Sequence, residues 1–287
     1  MASAISRATE ALIDIALAED LGERGDITSQ FFVDQNATAS GNIVAREACV
    51  IAGSEVASEV FTSVDPAIVV ELVLESGIEA GAGDGVITVT GPARSLLTAE
   101  RTALNFLQRL TGVATLTRRY VDAVAGTGAK ILDTRKTTPG WRELEKAAVV
   151  AGGGTNHRMG LYDMAMVKDN HLTTGGDTTA LQDGIGRLKG EHPEARVELE
   201  ADTLEQTETF LSLRGVDVIL LDNMSNDQLR QAVALRGDRS IELEASGGVT
   251  LETVRGIAET GVNFISVGAL THSSPSTDLA LDFENRR

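Results

Sequence analysis

From residue 130 onward the chain repeats one short unit: an apolar run that ends in charged residues or glycine. AKILDTRK, MAMVKDN, RVELEAD, VDVILLDN, SIELEASGG and NFISVGA follow one another over about 140 residues. Most are separated by stretches with helical spacing, such as 204–213 and 226–235. Strands that alternate with helices run parallel, because each crossover returns the chain to the same edge of the sheet. Six such strands, each with polar or small residues at its C-terminal end, resemble a TIM-like barrel, where the chemistry gathers at that end. A doubly wound open sheet is the other arrangement the pattern allows. Within two of the runs acidic residues alternate with leucine. Glu198 and Glu200 therefore share a face, as do Glu242 and Glu244, and both pairs point inward if the leucines face the helices.

The first portion reads differently. Ile5, Ala8, Leu12, Ile15 and Ala16 give an amphipathic helix over 4–21, and GERGDITS breaks it. An extended stretch is expected over 38–53, a helix over 54–64, and two strands in AIVVELVLES and VITVTG on either side of a GAGDG turn. A helix follows from Ser95 to about Leu110. Gly112 is expected to interrupt it, and a second helix to run over 113–125. This predicts an N-terminal α+β domain at 1–112 and a barrel domain at 113–270.

Charge is unevenly placed. The chain carries a formal charge of −17, yet residues 130–171 hold seven cations against five carboxylates, so the remainder sums to −19. A basic island in an acidic chain suggests a pocket for a strongly anionic ligand. The acidic remainder argues against nonspecific nucleic-acid binding, which needs a basic face. It suits a high-salt cytoplasm, although many ordinary proteins are acidic too. One cysteine, Cys49, permits no internal disulfide. No stretch reaches the roughly 18 apolar residues of a membrane span, and the N-terminal helix is interrupted by Arg7, Glu10 and Asp14. The expectation is a soluble cytoplasmic protein.

The island supplies most candidate site residues. Thr134, Arg135 and Lys136 follow the first barrel strand, and an arginine fork binds carboxylate or phosphate in two-pronged fashion. His157 and Arg158 follow a GGG run, whose backbone N–H groups can face an anion or merely serve a turn. Lys168 ends MAMV and is either a Schiff-base nucleophile, an anion ligand or one half of a structural ion pair. Glu200 and Asp222 end their strands and suit Mg²⁺ or hydroxyl groups. The more N-terminal Glu198 and Glu242 are expected to make ion pairs inside the barrel. Ser246-Gly247-Gly248 and Gly268-Ala269 form two late loops of the kind that hold phosphate in TIM barrels.

Taken with EDLGERGDIT, AERTALNFLQRLTGVAT, TRKTTPG, GGGTNHRMGLYDMAMVKDNH, ILLDN, EASGGVT and ISVGALTHS, these residues resemble the quinolinate phosphoribosyltransferase family, nearly end to end. The resemblance implies an α/β chain in which an open-faced α+β sandwich precedes an incomplete TIM-like barrel. It also implies that the tail 271–287 returns to the first domain. The implied reaction joins quinolinate to phosphoribosyl pyrophosphate with Mg²⁺, giving nicotinate mononucleotide, pyrophosphate and CO₂. The implied assembly is a homodimer with shared sites, or a hexamer built from it. By the same resemblance Arg135, His157, Arg158 and Lys168 line the dicarboxylate pocket, and Thr134 and Lys136 stand beside it, Lys136 near the pyrophosphate. Glu200 and Asp222 hold ribose hydroxyls and metal, and Ser246, Gly247, Gly248 and Gly268 cradle the 5′-phosphate. Arg101 is contributed across the dimer interface. Lys136, Lys168, Glu200 and Asp222 are the residues implied in catalysis. Trp141 stands where a smaller apolar residue is expected. The spacing leaves both Glu198 and Glu200 eligible for the functional carboxylate.

Overall fold

A computed structural model describes residues 5–168 and 178–284; the end of the basic island, 169–171, lies outside the described residues. In chain order the elements are α1 (Arg7–Leu21), α2 (Ile27–Phe32), β1 (Thr38–Ala45), β2 (Cys49–Val50), α3 (Ser54–Val64), β3 (Val69–Leu72), β4 (Glu79–Ala80), β5 (Gly85–Pro92) and α4 (Ala93–Ala123). Then come β6 (Lys130–Leu132), α5 (Arg142–Ala151), β7 (Met164–Val167), α6 (Thr178–Glu191), β8 (Arg196–Ala201), α7 (Leu204–Leu211), β9 (Val218–Asp222), α8 (Asn226–Arg236), β10 (Glu242–Ser246), α9 (Val254–Ala258), β11 (Phe264–Ser266), α10 (Ala269–His272) and β12 (Leu279–Phe283). They form two compact units. The first comprises 1–118, 137–153 and 271–287, and the second 119–136 and 154–270.

In the first unit β12, β1, β5 and β3 make an antiparallel sheet in that order, with β2 and β4 as a separate pair. The C-terminal strand is zipped onto β1 from Gly41 opposite Phe283 to Ala45 opposite Leu279. Segment 137–153 also packs here. Arg109 on α4 donates to Glu145 Oε1 on α5 (2.8 Å) and to the Ser274 carbonyl (2.8 Å), so one half-buried guanidinium ties three distant stretches of chain. Glu145 itself is fully buried and also accepts from Thr138 N and Oγ1.

One expectation fails here for a physical reason. Gly112 does not interrupt a helix: α4 runs through it for 31 residues. A Cβ at Gly112 would lie 1.9 Å from the Pro275 carbonyl oxygen, so the glycine lets the returning tail approach the helix backbone. GERGDITS does end α1, with Gly22 as its C-cap, and it also holds the start of α2, capped by Asp26, whose carboxylate accepts from Ser29 N at 2.9 Å. Trp141 stacks on Phe106 (centroids 4.6 Å, planes 13° apart), in a 270 Å³ pocket of this unit that the α1 residues Leu12 and Ile15 also line.

The second unit is built on a six-stranded parallel sheet ordered β6-β11-β10-β9-β8-β7. Chain order is preserved from β7 to β11, and β11 then pairs with β6, the first strand of the set. The sheet therefore curls back on itself and opens only between β6 and β7. Thr155 makes a parallel bridge to Leu132 on that open side of β6. This is an incomplete barrel, not an open doubly wound sheet. The leucine-facing rule holds: Val197, Leu199, Ile219, Leu221, Leu243 and Ile265 are all at most 1% exposed. Burying each such side chain is worth about 1.5–3 kcal/mol. Their neighbours in sequence, Glu198, Glu200, Leu220, Asp222, Glu244 and Ser246, take the other face. Two capping boxes, Thr203 with Gln206 and Ser225 with Gln228, start α7 and α8 close behind β8 and β9.

Candidate active site

The C-terminal strand ends of the second unit surround a cleft of about 320 Å³. Thr134, Arg135, Lys136, His157, Arg158, Lys168, Glu200, Asp222 and Ser246 all line it. Nine of the residues expected from sequence are thus brought to one cavity. Gly247 and Gly248 follow Ser246 directly, both at positive φ (+93° and +57°). Gly268 comes two residues after Ser266, which also lines the cleft. Arg101 is exposed on α4 in the first unit and is not among the cleft residues.

Each cation is placed by a different device. Asp133, fully buried at the end of β6, accepts from His157 N at 2.8 Å and so holds 155–157 beside that strand. Arg158 Nη1 donates to the Met164 carbonyl (3.2 Å). Burial first, and then the charge of Arg135, hold the Arg158 pKa below its ordinary value. Arg135 Nε is buried and has no hydrogen-bond partner among the described residues, which marks a donor that an anion in the cleft would satisfy. Lys168 Nζ pairs closely with Glu200 Oε2; the lysine is 41% exposed and the glutamate 11%.

Beneath the cleft floor lies a buried polar layer. His157 Nε2 stands 3.1 Å from Glu198 Oε2 and 3.4 Å from Glu244 Oε2, and both glutamates are at most 2% exposed. Burial alone would lower the His157 pKa, but hydrogen bonds and charge from Glu198 and Glu244 raise it to about 9. Burial also raises Glu198, aided by the Glu244 charge and opposed by the hydrogen bond from His157. One contact complicates a charged ring: Arg158 N donates to His157 Nδ1 at 2.7 Å, and an imidazolium has no lone pair there. Both shifts describe a single proton retained by three coupled groups. Placing it on Glu198 toward Glu244, with Nε2–H facing the carboxylates, keeps the Nδ1 bond, so we assign it there. A proton on Nε2 also occupies the position a metal ion would need, although the three groups lie close enough to ligate one. A second cavity of about 240 Å³, lined by Met164, Arg196 and Phe264 at the strand starts, lies against the same layer.

Position separates the two candidate glutamates: Glu200 lines the cleft, while Glu198 belongs to the buried layer. Glu198 meets the expectation of pairing inside the barrel. Glu242 does not, because it pairs with Arg196 at the N-terminal ends of β10 and β8, where both side chains are more than a third exposed. The glycine run is a packing feature at its start: a Cβ on Gly152 would lie 2.4 Å from the Ala114 carbonyl oxygen of α4. Ser266, Met166 and Leu220 line the cleft without having been singled out from sequence. Glu244, placed on the inward face by the ELE alternation, lines it as well.

Comparison with known proteins agrees along the whole chain. Residues 26–111 match the family model for the N-terminal domain of quinolinate phosphoribosyl transferase, and 113–282 match that for its C-terminal domain. A nicotinate-nucleotide pyrophosphorylase [carboxylating] of Mycobacterium leprae is 45% identical over 273 residues, covering 93% of this chain and 94% of the relative. A chloroplastic pyrophosphorylase of the same name from Oryza sativa is 40% identical over 290 residues, covering 96% of this chain and 77% of its own. Among solved structures, a nicotinate-nucleotide pyrophosphorylase from Francisella tularensis superposes with a TM-score of 0.90 at 33% identity, covering 98% of both chains. One from Ehrlichia chaffeensis gives 0.89 at 39% identity, covering 98% of this chain and all of the other.

Proposed function

The chain belongs to the quinolinate phosphoribosyltransferase family, and from that premise we propose that it transfers the phosphoribosyl group of phosphoribosyl pyrophosphate to quinolinate. The products are nicotinate mononucleotide, pyrophosphate and CO₂, as a step of NAD biosynthesis in the cytoplasm. The observation that carries this reading is the cleft itself. In a chain of net charge −17, five basic side chains converge on one cavity that also holds Glu200, Asp222 and Ser246. A dicarboxylate and a polyphosphate sugar together present that demand for cations, hydroxyl acceptors and a phosphate loop.

Arg135, Arg158 and Lys168 receive the two carboxylates, with Thr134 beside them and His157 lining the pocket while its ring nitrogens serve Arg158 N and the buried glutamates, and Lys136 faces the pyrophosphate. Glu200 and Asp222 take the ribose hydroxyls, and Ser246, Gly247, Gly248 and Gly268 the 5′-phosphate. These fixed charges align the quinolinate nitrogen with ribose C1 and compensate the charge that develops on the leaving group. The new N–C1 bond forms as the C1–O bond breaks and pyrophosphate leaves with its electron pair. The ring nitrogen is then cationic, so the C2 carboxylate can depart as CO₂. The electron pair left at C2 takes up a proton. No protein nucleophile is required, and Lys168, engaged with Glu200, serves as a charge. The carboxylate oxygens of Glu200 and Asp222 are hard donors that fit Mg²⁺, and they would hold it together with substrate oxygens. Bound there, the ion would supply positive charge against the pyrophosphate.

The assembly in this reading is a homodimer, alone or within a hexamer, in which Arg101 completes the other chain's cleft. Its exposure on α4 supports that role. Purified protein given quinolinate, phosphoribosyl pyrophosphate and Mg²⁺ is expected to release CO₂ and form nicotinate mononucleotide. No product at either low or high salt overturns the assignment. Mixing Arg101→Ala with Lys168→Ala protein is expected to restore activity. Absence of restoration after demonstrated subunit exchange removes the shared site.

A further inference from the structure

The turn after β9 holds a residue that the mechanism above does not use. Asn223 is the only non-glycine at positive φ among the described residues (φ +54°). Consecutive side chains on a strand point to opposite faces, so residues 222 and 223 could not meet if the strand simply continued. The left-handed step at Asn223 swings its side chain back, and Nδ2 donates to Asp222 Oδ2 at 2.7 Å. Only the NH₂ side of the amide can face a carboxylate, which fixes the orientation of the whole group. The backbone is anchored as well: Asn223 N donates to the Ser246 carbonyl at 2.9 Å, extending the register in which Ser246 lies opposite Asp222.

The amide needs space, and Gly247 supplies it. A Cβ on Gly247 would lie 2.1 Å from Asn223 Oδ1 and 2.5 Å from its Cγ. Gly247 is thus required twice, once for its own φ of +93° and once for the asparagine beside it. A Cβ on Gly248, the next residue, meets nothing within 4 Å. The asymmetry separates a glycine that makes room for a protein side chain from one beside open space.

The geometry points to Asn223 as the positioning residue for Asp222, seated in a slot left by Gly247, so that the carboxylate at the end of β9 and the loop after β10 are set by one contact. This rests on the reading of Asp222 as a ribose ligand and of 246–248 as the phosphate cradle. A carboxylate free to rotate about its side-chain bonds spends only part of its time in the geometry that binding needs; the amide fixes one orientation.

Asn223→Gly separates the amide from the backbone, because glycine adopts the left-handed step without strain and removes only the side chain. Expected are an unchanged Tm, an approximately tenfold loss of kcat/KM for phosphoribosyl pyrophosphate, and an unchanged KM for quinolinate. In an Asp222→Ala background the same change is expected to cost nothing further, since the residue acts through Asp222. Calorimetric titration with ribose 5-phosphate gives a readout without turnover, with affinity expected to fall about tenfold in Asn223→Gly. Wild-type values for Asn223→Gly in both measurements, or an equal loss on top of Asp222→Ala, overturn the assignment. A wild-type protein that makes no nicotinate mononucleotide but binds ribose 5-phosphate, more weakly in Asn223→Gly, loses the proposed reaction and keeps the positioning role. Failure of wild type in both the assay and the titration overturns both.

Discussion

The two halves of the cleft are built by opposite means. On one side stand Arg135, Lys136, Arg158 and Lys168, long side chains that reach the cavity from a strand end and from the segment over 154–168. Two of them are steadied by partners: Lys168 by Glu200, and Arg158 through the His157–Arg158 turn, held by Asp133 and the layer of Glu198 and Glu244. On the other side Asp222 and Ser246 sit in register on adjacent strands, and their loop is shaped by backbone conformation at Asn223, Gly247 and Gly248. Side chains with many rotamers need buried partners to hold a charge in place; short side chains on strand ends inherit their position from the sheet. Charge is therefore the fragile property of the first half and shape that of the second.

Truncation of a cation should have the largest effect. Lys168→Ala removes a ligand and leaves the partly buried Glu200 without its partner, so kcat/KM is expected to fall about 100- to 1000-fold. Initial rates of CO₂ release measure it, and a loss under tenfold would show that the charges of that half are interchangeable. Gly247→Ala comes next, since the added carbon must displace Asn223. Roughly tenfold or more in kcat/KM for phosphoribosyl pyrophosphate is expected, without matching loss in quinolinate binding.

The buried layer distinguishes the halves through pH. The folded-state pKa of His157 is raised, so its contribution to stability is full below the unfolded value of about 6.5 and is lost as pH rises through about 9. The raised pKa of Glu198 belongs to the same retained proton, so the two are counted once. The window is worth on the order of 1–3 kcal/mol, and urea unfolding of wild type should weaken between pH 6.5 and 9. Glu198→Gln should flatten that slope; an unchanged slope in the variant would remove the layer from the account. Gly248→Ala is expected to do least, about 1 kcal/mol of left-handed strain with no clash, read as a shift of Tm by a few degrees.

Much of this was legible in the order of residues. Alternation in VELE and IELE placed acidic side chains on one face and leucines on the other, because the strand period is two regardless of context. Arg135, Lys168, Glu200 and Asp222 could be nominated because each ends an apolar run at the barrel's reactive face. The repeated strand–helix unit narrowed the topology to two arrangements. Which of them is adopted depends on β11 pairing with β6, a contact across more than 130 residues that leaves no local trace.

Other features were settled by tertiary contact alone. Gly112 has the composition of a helix breaker but the function of a close approach, decided by Pro275 some 160 residues later. Glu198 and Glu200 are chemically identical in sequence. Their roles part because His157 and Glu244 arrive under one and Lys168 and the open cleft lie beside the other. Asn223 reads as an ordinary turn residue until Gly247 is brought against it. A sequence determines periodicity, local conformational preference and the inventory of charges. Which carboxylate meets which cation, and which glycine must yield space, are properties of pairs made neighbours by folding.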